Sequence, residues 1–361
     1  MASSSGGKTM CAVTELEFPS HLDAEISTLC IKQLNDEKII VGHENGIYIT
    51  SIGTTDSVNI VKSLEGLEVP SVFVDENSDG NIFYAASESN VYKFDIRCPL
   101  QDVHCFKDNT DEINFITMND KGFLASCDDS GECKIFDTRK GTLYRTLRKR
   151  HKNICSSAAF LTTRADDIVT GGLDSQMIVW NHAVVRFIQD INTQEILQKL
   201  GDNSVNMFNP PMVNALSLSQ DGRLLASGLG NGSLQLFHVL KGKRALAPSL
   251  LINQHGSTGI TSLDFIKTSY SYILASGGND MEINLWRLPP IATNAKGKQL
   301  VPENEMALEQ DEIMKYQIYQ TKLQTKINTL ESMRLNSRDF LLVGDQTPVL
   351  KMIDVTDLLE I

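Results

Sequence analysis

Two sets of residues in this chain hold the parts of an acyl-transfer centre: His151, Thr170 and Asp174, and again His255, Ser276 and Asp280. A hydroxyl, an imidazole and a carboxylate so related would make the imidazole a general base, oriented by the carboxylate, for a nucleophilic oxygen. The pattern argues against that chemistry. Hydroxyl, Asp and Trp recur with one spacing, ending at Trp180 and Trp286, and each hydroxyl lies inside an apolar, strand-like run. No G-x-S-x-G turn lifts a serine out of a strand. Residues 228–232 have the glycine content of a phosphate loop but open no helix, so they read as a turn. His43 and Glu44 lack the second His of a zinc-protease helix. The seven cysteines include no C-x-x-C pair, so neither a zinc site nor a redox motif is expected. Their free thiols suit a reducing compartment, cytoplasmic or nuclear. No catalytic residue, metal site or cofactor follows from these residues, and a non-enzyme is expected.

The elements that carry them are copies of one unit. A short apolar run ends in a Gly/Ser/Asn/Asp turn, and an alternating run capped by an aromatic residue follows, as in 124-LASCDDSGECKIFDTR-139 and 274-LASGGNDMEINLW-286. The caps fall at Phe94, Phe136, Trp180, Phe237 and Trp286, in steps of 42, 44, 57 and 49 residues. Self-similarity at such a period signals a repeat architecture. Within 133–137, Cys133 and Ile135 share one face and Lys134 and Phe136 the other, the alternation of a strand packed on both sides. The order returns at 327–355 with a reduced turn at Gly344, Asp345 and Gln346, which makes seven units. Residues 12–18 alternate and are expected to supply the outer strand of the last unit, hiding the open sheet edges, behind a flexible tail at 1–11.

A period in the low forties, a Ser-Gly-x-x-Asp turn and an aromatic strand end resemble the WD40 repeat. The resemblance implies an all-β, seven-bladed β-propeller over residues 12–361, closed by the N-terminal strand, with insertions at about 185–211 and 289–325. Residues 303–314 of the second insertion have helical composition. It also implies that His151, Thr170, Asp174 and Trp180, and His255, Ser276, Asp280 and Trp286, are two structural hydrogen-bonded tetrads.

Two units end alike, in Phe94, Asp95, Ile96, Arg97 and in Phe136, Asp137, Thr138, Arg139. An Arg just beyond the strand would stand at the rim of one face, and two consecutive units would offer two guanidiniums to acidic groups of one partner. The pair resembles the WDxR box of substrate receptors that dock onto the DNA-damage-binding adaptor of cullin-4 ubiquitin ligases, with Phe in place of Trp. What this implies is a protein-interaction scaffold that binds that adaptor through Phe94, Asp95, Arg97, Phe136, Asp137 and Arg139, and a further protein as substrate. The alternative is a peptide or histone-tail reader using the channel mouth.

Composition narrows the partners. A hydrophobic content of 41% supports a packed core, and a formal charge of −12 disfavours nucleic acid, whose binding rests on neutralising phosphates. No apolar run approaches the roughly 18 residues of a membrane span. The basic run 145–153 is the strongest local charge feature and reads as a solvated loop or a patch for an acidic partner.

Overall fold

The computed structural model describes residues 11, 13–16, 27–52, 58–100, 103–148, 150–199, 209–268, 272–291, 306–307, 312 and 315–359. They form seven sheets in chain order, each with antiparallel strands a, b, c and d from the axis outward, and one with a short fifth strand at its edge. Blades 1 to 6 span residues 28–65, 71–106, 113–147, 155–192, 213–253 and 260–322, and blade 7 begins at residue 327. Its outer strand is the N-terminal Val13–Leu16, antiparallel to Leu350–Asp354 in the register Val13↔Ile353 and Leu16↔Leu350. The expected seven-bladed propeller and its closure by the two chain ends are therefore both present.

The core is not central but divided. Seven apolar clusters each join two neighbouring blades, the seventh linking Leu342, Leu350 and Leu16 of blade 7 to Ile39, Val41 and Tyr48 of blade 1. This follows from period-2 alternation in sheets buried on both faces. Cys133 and Ile135 pack toward blade 4, whereas Phe136 packs toward blade 2.

The innermost strands are also tied by side chain–backbone bonds from blade to blade. Ser71 Oγ accepts the Ile116 N–H (3.0 Å), Ser262 Oγ the Leu330 N–H (2.9 Å) and Asp264 Oδ2 the Ser332 N–H (2.7 Å). Asn328 Nδ2 donates to the Thr28 carbonyl at 2.9 Å, carrying the ring across the closure.

The insertions are narrower than expected. Arg186–Asn192, inside the expected 185–211 insertion, is the outer strand of blade 4, and a short helix, Thr193–Lys199, follows it. Gln317–Lys322, inside 289–325, is the outer strand of blade 6. Outer strands face solvent and pair on one side only, so their apolar signal is weak. Within 303–314, where a helix was expected, Glu312 is helical, as are Lys315 and Tyr316 just beyond, whereas Met306–Ala307 form a short strand parallel to Leu250–Leu251 on the edge of blade 5. Most of the rest of that segment, and the expected tail at 1–11 apart from Cys11, lie outside the described residues.

Candidate functional site

Up-and-down blades place the a–b and c–d turns on one face and the b–c turns and blade-to-blade links on the other. The residues singled out in the sequence divide between these faces. The His and Asp of each set lie toward the b–c face, with the Trp near the other end of strand c, and the two Arg-bearing segments are c–d turns on the opposite face.

Each tetrad is a closed hydrogen-bonded unit. His255 joins Asp280 through Nδ1 (2.8 Å) and Ser276 Oγ through Nε2 (2.8 Å), and Trp286 Nε1 donates to the same Oγ at 2.8 Å. In blade 4 the corresponding distances are 3.0 Å from His151 to Asp174, 2.9 Å from His151 to Thr170 and 3.0 Å from Trp180 to Thr170. Asp174 also accepts the Lys152 N–H (2.8 Å), and its bonds to His151 and to the backbone hold its carboxyl below the usual range against the opposing effect of burial. The relation of Ser276, His255 and Asp280 is that of a hydrolytic triad. The hydroxyl, however, is fully buried beneath the indole whose N–H it accepts, so no substrate reaches it. What the unit does is satisfy buried polar groups beneath a tight turn.

Blades 3 and 7 solve the same problem differently, which the sequence reading missed. Blades 4 and 6 carry Gly172 and Gly278 at the end of strand b, and a Cβ on Gly172 would lie 2.5 Å from His151 Nδ1. Blades 3 and 7 carry Asp128 and Asp345 there, each answered by a buried lysine six residues on. Lys134 Nζ lies 3.2 Å from Asp128 and Lys351 Nζ 2.6 Å from Asp345. In blade 3, Asn109 joins Ser126 (2.8 Å) to Asp128 (2.8 Å) and so stands where the histidine would. The Asp-x5-Lys spacing shared by the two blades was the available signal.

The Arg-bearing turns begin from buried anchors: Phe94 and Phe136 are fully packed. Asp95 and Asp137 cap the turns by accepting the Arg97 N–H (3.0 Å) and Arg139 N–H (3.1 Å). Beyond the caps the two arginines differ. Arg97 is 64% exposed and lies along its own Asp95, with Nε to Oδ1 at 2.8 Å and Nη2 to Oδ2 at 2.6 Å. That paired contact holds the Asp95 carboxyl down at about 2. Arg139, also exposed, reaches back to the Lys121 carbonyl, while Asp137 pairs with Lys140 at 3.3 Å.

A second device fixes these turns. The strand-d residue opposite the one before the cap position, which is Thr50 in blade 1, reaches to the next blade's c–d turn. Lys62 of blade 1 donates to the Cys98 carbonyl (2.9 Å) and to that of Ile96, and His104 of blade 2 lies over Gly141 of blade 3. Arg145 of blade 3 donates to the Ala183 carbonyl (3.4 Å). Gln189 of blade 4 accepts the Ala245 and Leu246 N–H groups (2.9 and 3.0 Å) and donates to the Leu246 carbonyl (2.9 Å). In blades 1, 3 and 4 a bulge adjoins this pairing and re-aims the side chain. The positive φ of Gly141, 68°, leaves no Cβ in the way of the His104 ring.

The remaining features are spread out. In the basic run, Arg150 stacks over Phe187 at 3.7 Å, Arg148 lies 3.8 Å from Glu132 and Arg145 reaches the Ala183 carbonyl, so three of its cations have partners within the propeller. Cys127, Cys133 and Cys155 meet in the core between blades 3 and 4, where the neighbouring thiols and burial push the Cys127 thiol well up. Among the described residues no group of His, Cys, Asp or Glu is arranged to hold a metal ion, and no helix is long and apolar enough to cross a membrane.

Comparison with known proteins agrees with this architecture. The family model "WD domain, G-beta repeat" matches residues 203–238 and 248–287, the copies in blades 5 and 6. The chain is similar along its length to the WD repeat-containing protein 53 homolog of Dictyostelium discoideum, 24% identical over 365 residues and 95% of each protein. Among solved structures it resembles the WD40 β-propeller domain of Doa1, with TM-score 0.68 and 12% identity over 96% of this chain and 97% of that one. It also resembles U3-55K, with TM-score 0.69 and 14% identity over 95% and 98%. At such identities the likeness is one of fold. The chain is built as a seven-bladed β-propeller, with WD40 repeats matched at residues 203–238 and 248–287.

Proposed function

We propose that this propeller, a protein-interaction scaffold by fold, serves as a substrate receptor that docks through Arg97 and Arg139 onto the DNA-damage-binding adaptor of cullin-4 ubiquitin ligases and recruits a second protein with another surface. A propeller fold hosts many functions, so the partner has to be read from the site. The observation that carries the reading is the pair of Arg-bearing turns on consecutive blades and one face. Both guanidiniums are exposed; Lys62 of the preceding blade holds the Arg97 turn, and His104 packs over the Arg139 turn. Preorganised turns lose little freedom on binding. Arg97 must exchange Asp95 for a partner carboxylate, or bind it with Asp95 still attached. Co-purification of the adaptor with the full chain tests the reading. Arg97→Ala/Arg139→Ala should lower recovery at least about tenfold. Undiminished recovery by a folded double variant would remove these arginines from the interface.

A second reading, a reader of basic peptides, draws on the channel wall. There Asp264 and Glu331 stand on the neighbouring innermost strands of blades 6 and 7, and Lys32 of blade 1 lies 2.5 Å from Glu331. Titration with lysine- and arginine-rich peptides decides it, and no binding tighter than about micromolar would end it.

A further inference from the structure

The c–d turn of blade 4, residues 181–186, lies on the same face as the two Arg-bearing turns, one blade further round. Instead of an Arg it carries Val184 and Val185, 68% and 40% exposed, the one adjacent pair of exposed large apolar side chains among the described residues. Val185 has a φ of 52°, the left-handed region that a β-branched residue resists. Residues held in such conformations are over-determined by their surroundings, and they concentrate at binding and switch sites.

The surroundings here are specific. Asn181 Nδ2 donates to Asp167 Oδ1 (3.0 Å), and Asn181 Oδ1 accepts the Val184 N–H (3.3 Å). Arg145 of blade 3 reaches the Ala183 carbonyl, and buried His182 is wedged between Phe123 and Phe160, 5.4 Å from each ring. An apolar tip is thus held outward by polar and aromatic contacts beneath it. Around it the same face presents Arg139 and Lys140 from blade 3 and Arg186 at the base of the turn, all exposed, in a chain whose net charge is −12. An apolar centre with a cationic rim complements a protein surface with an apolar pocket bordered by carboxylates.

We propose that the c–d turns of blades 2, 3 and 4 form one docking surface, in which Val184 and Val185 enter an apolar pocket of the partner protein while Arg97, Arg139 and Arg186 meet acidic residues at its rim. The inference rests on the reading above that Arg97 and Arg139 face a protein partner, and it adds the apolar anchor on blade 4.

The test measures binding of the purified adaptor to the full chain and to three variants: Arg97→Ala/Arg139→Ala, Val184→Asp and Val185→Gly. Val184→Asp changes only an exposed tip. Val185→Gly suits the positive φ, so its melting temperature should hold or rise while its apolar contact is lost. The expected result is adaptor binding by the wild type, at least about tenfold weakening by Val184→Asp, and a smaller loss for Val185→Gly. Binding weakened by the arginine variant but unchanged by Val184→Asp and Val185→Gly would overturn the anchor and leave the receptor reading standing. Weakening by the valine variants alone would overturn the joint surface. No binding by the wild type would overturn the receptor reading, and this inference with it.

Discussion

Lys62 in the outer strand of blade 1 donates from Nζ to the carbonyl of Cys98 in blade 2, at 2.9 Å, and holds the turn that presents Arg97. Arg145 and Gln189 occupy the equivalent place in blades 3 and 4, so the c–d face is braced from one blade to the next. Lys62→Met should leave global stability within about 1 kcal/mol while amide exchange at residues 96–98 accelerates. Gln189→Ala removes three bonds and should destabilise by about 1–3 kcal/mol. Unaltered exchange in Lys62→Met would show that the turn needs no brace.

Lys351 and Asp345 form a buried ion pair, with side-chain exposures of 9% and 0%. Lys351→Met should destabilise by about 3–5 kcal/mol because a buried carboxylate loses its cation, whereas Lys351→Met/Asp345→Leu should recover much of that loss. Denaturant titration of the single and double variants checks the coupling, and additive losses would refute it.

Leu16 is fully buried at the blade 7–blade 1 boundary, on the strand that closes the ring. Leu16→Ala should lower stability by about 2–5 kcal/mol, and removal of residues 1–18 by more. A truncated chain that melted like the full one would show that closure does not depend on this strand.

Two groups on the ring should give opposite pH trends. Burial lowers His43 to about 4, so the unfolded chain takes up a proton that the folded one refuses, and stability falls as pH drops from about 6.5 to about 4. Burial and neighbouring Glu331 raise Asp264 to about 7, so the folded chain keeps a proton that the unfolded one releases, and stability falls as pH rises from 3.8 to about 7. Asp264→Asn should therefore gain on the wild type progressively over pH 4 to 8 in thermal melts. A constant difference across that range would show that Asp264 does not titrate as stated.

Much of the fold was legible along the chain because its determinants are short-range. Thr170, Asp174 and Trp180 lie within one hairpin, and the turn and cap recur with the blade. The Arg-bearing turns were visible for the same reason. Arg186–Asn192 and Gln317–Lys322 were hidden inside apparent insertions, since a solvent-facing outer strand shows little alternation. The ion pairs of Lys134 and Lys351 went unread because burial of a lysine depends on an acid placed opposite it.

By itself the sequence determined the repeating unit, the tetrads and the two aromatic-Asp-x-Arg segments, each a pattern completed within a few tens of residues. Only the tertiary structure decided that Lys62, Arg145 and Gln189 reach across to hold the turns of the following blade, and that His104 packs over one of them. Those relations arise where separate blades meet around a closed ring. They depend on the angle and register between sheets, which no local pattern encodes.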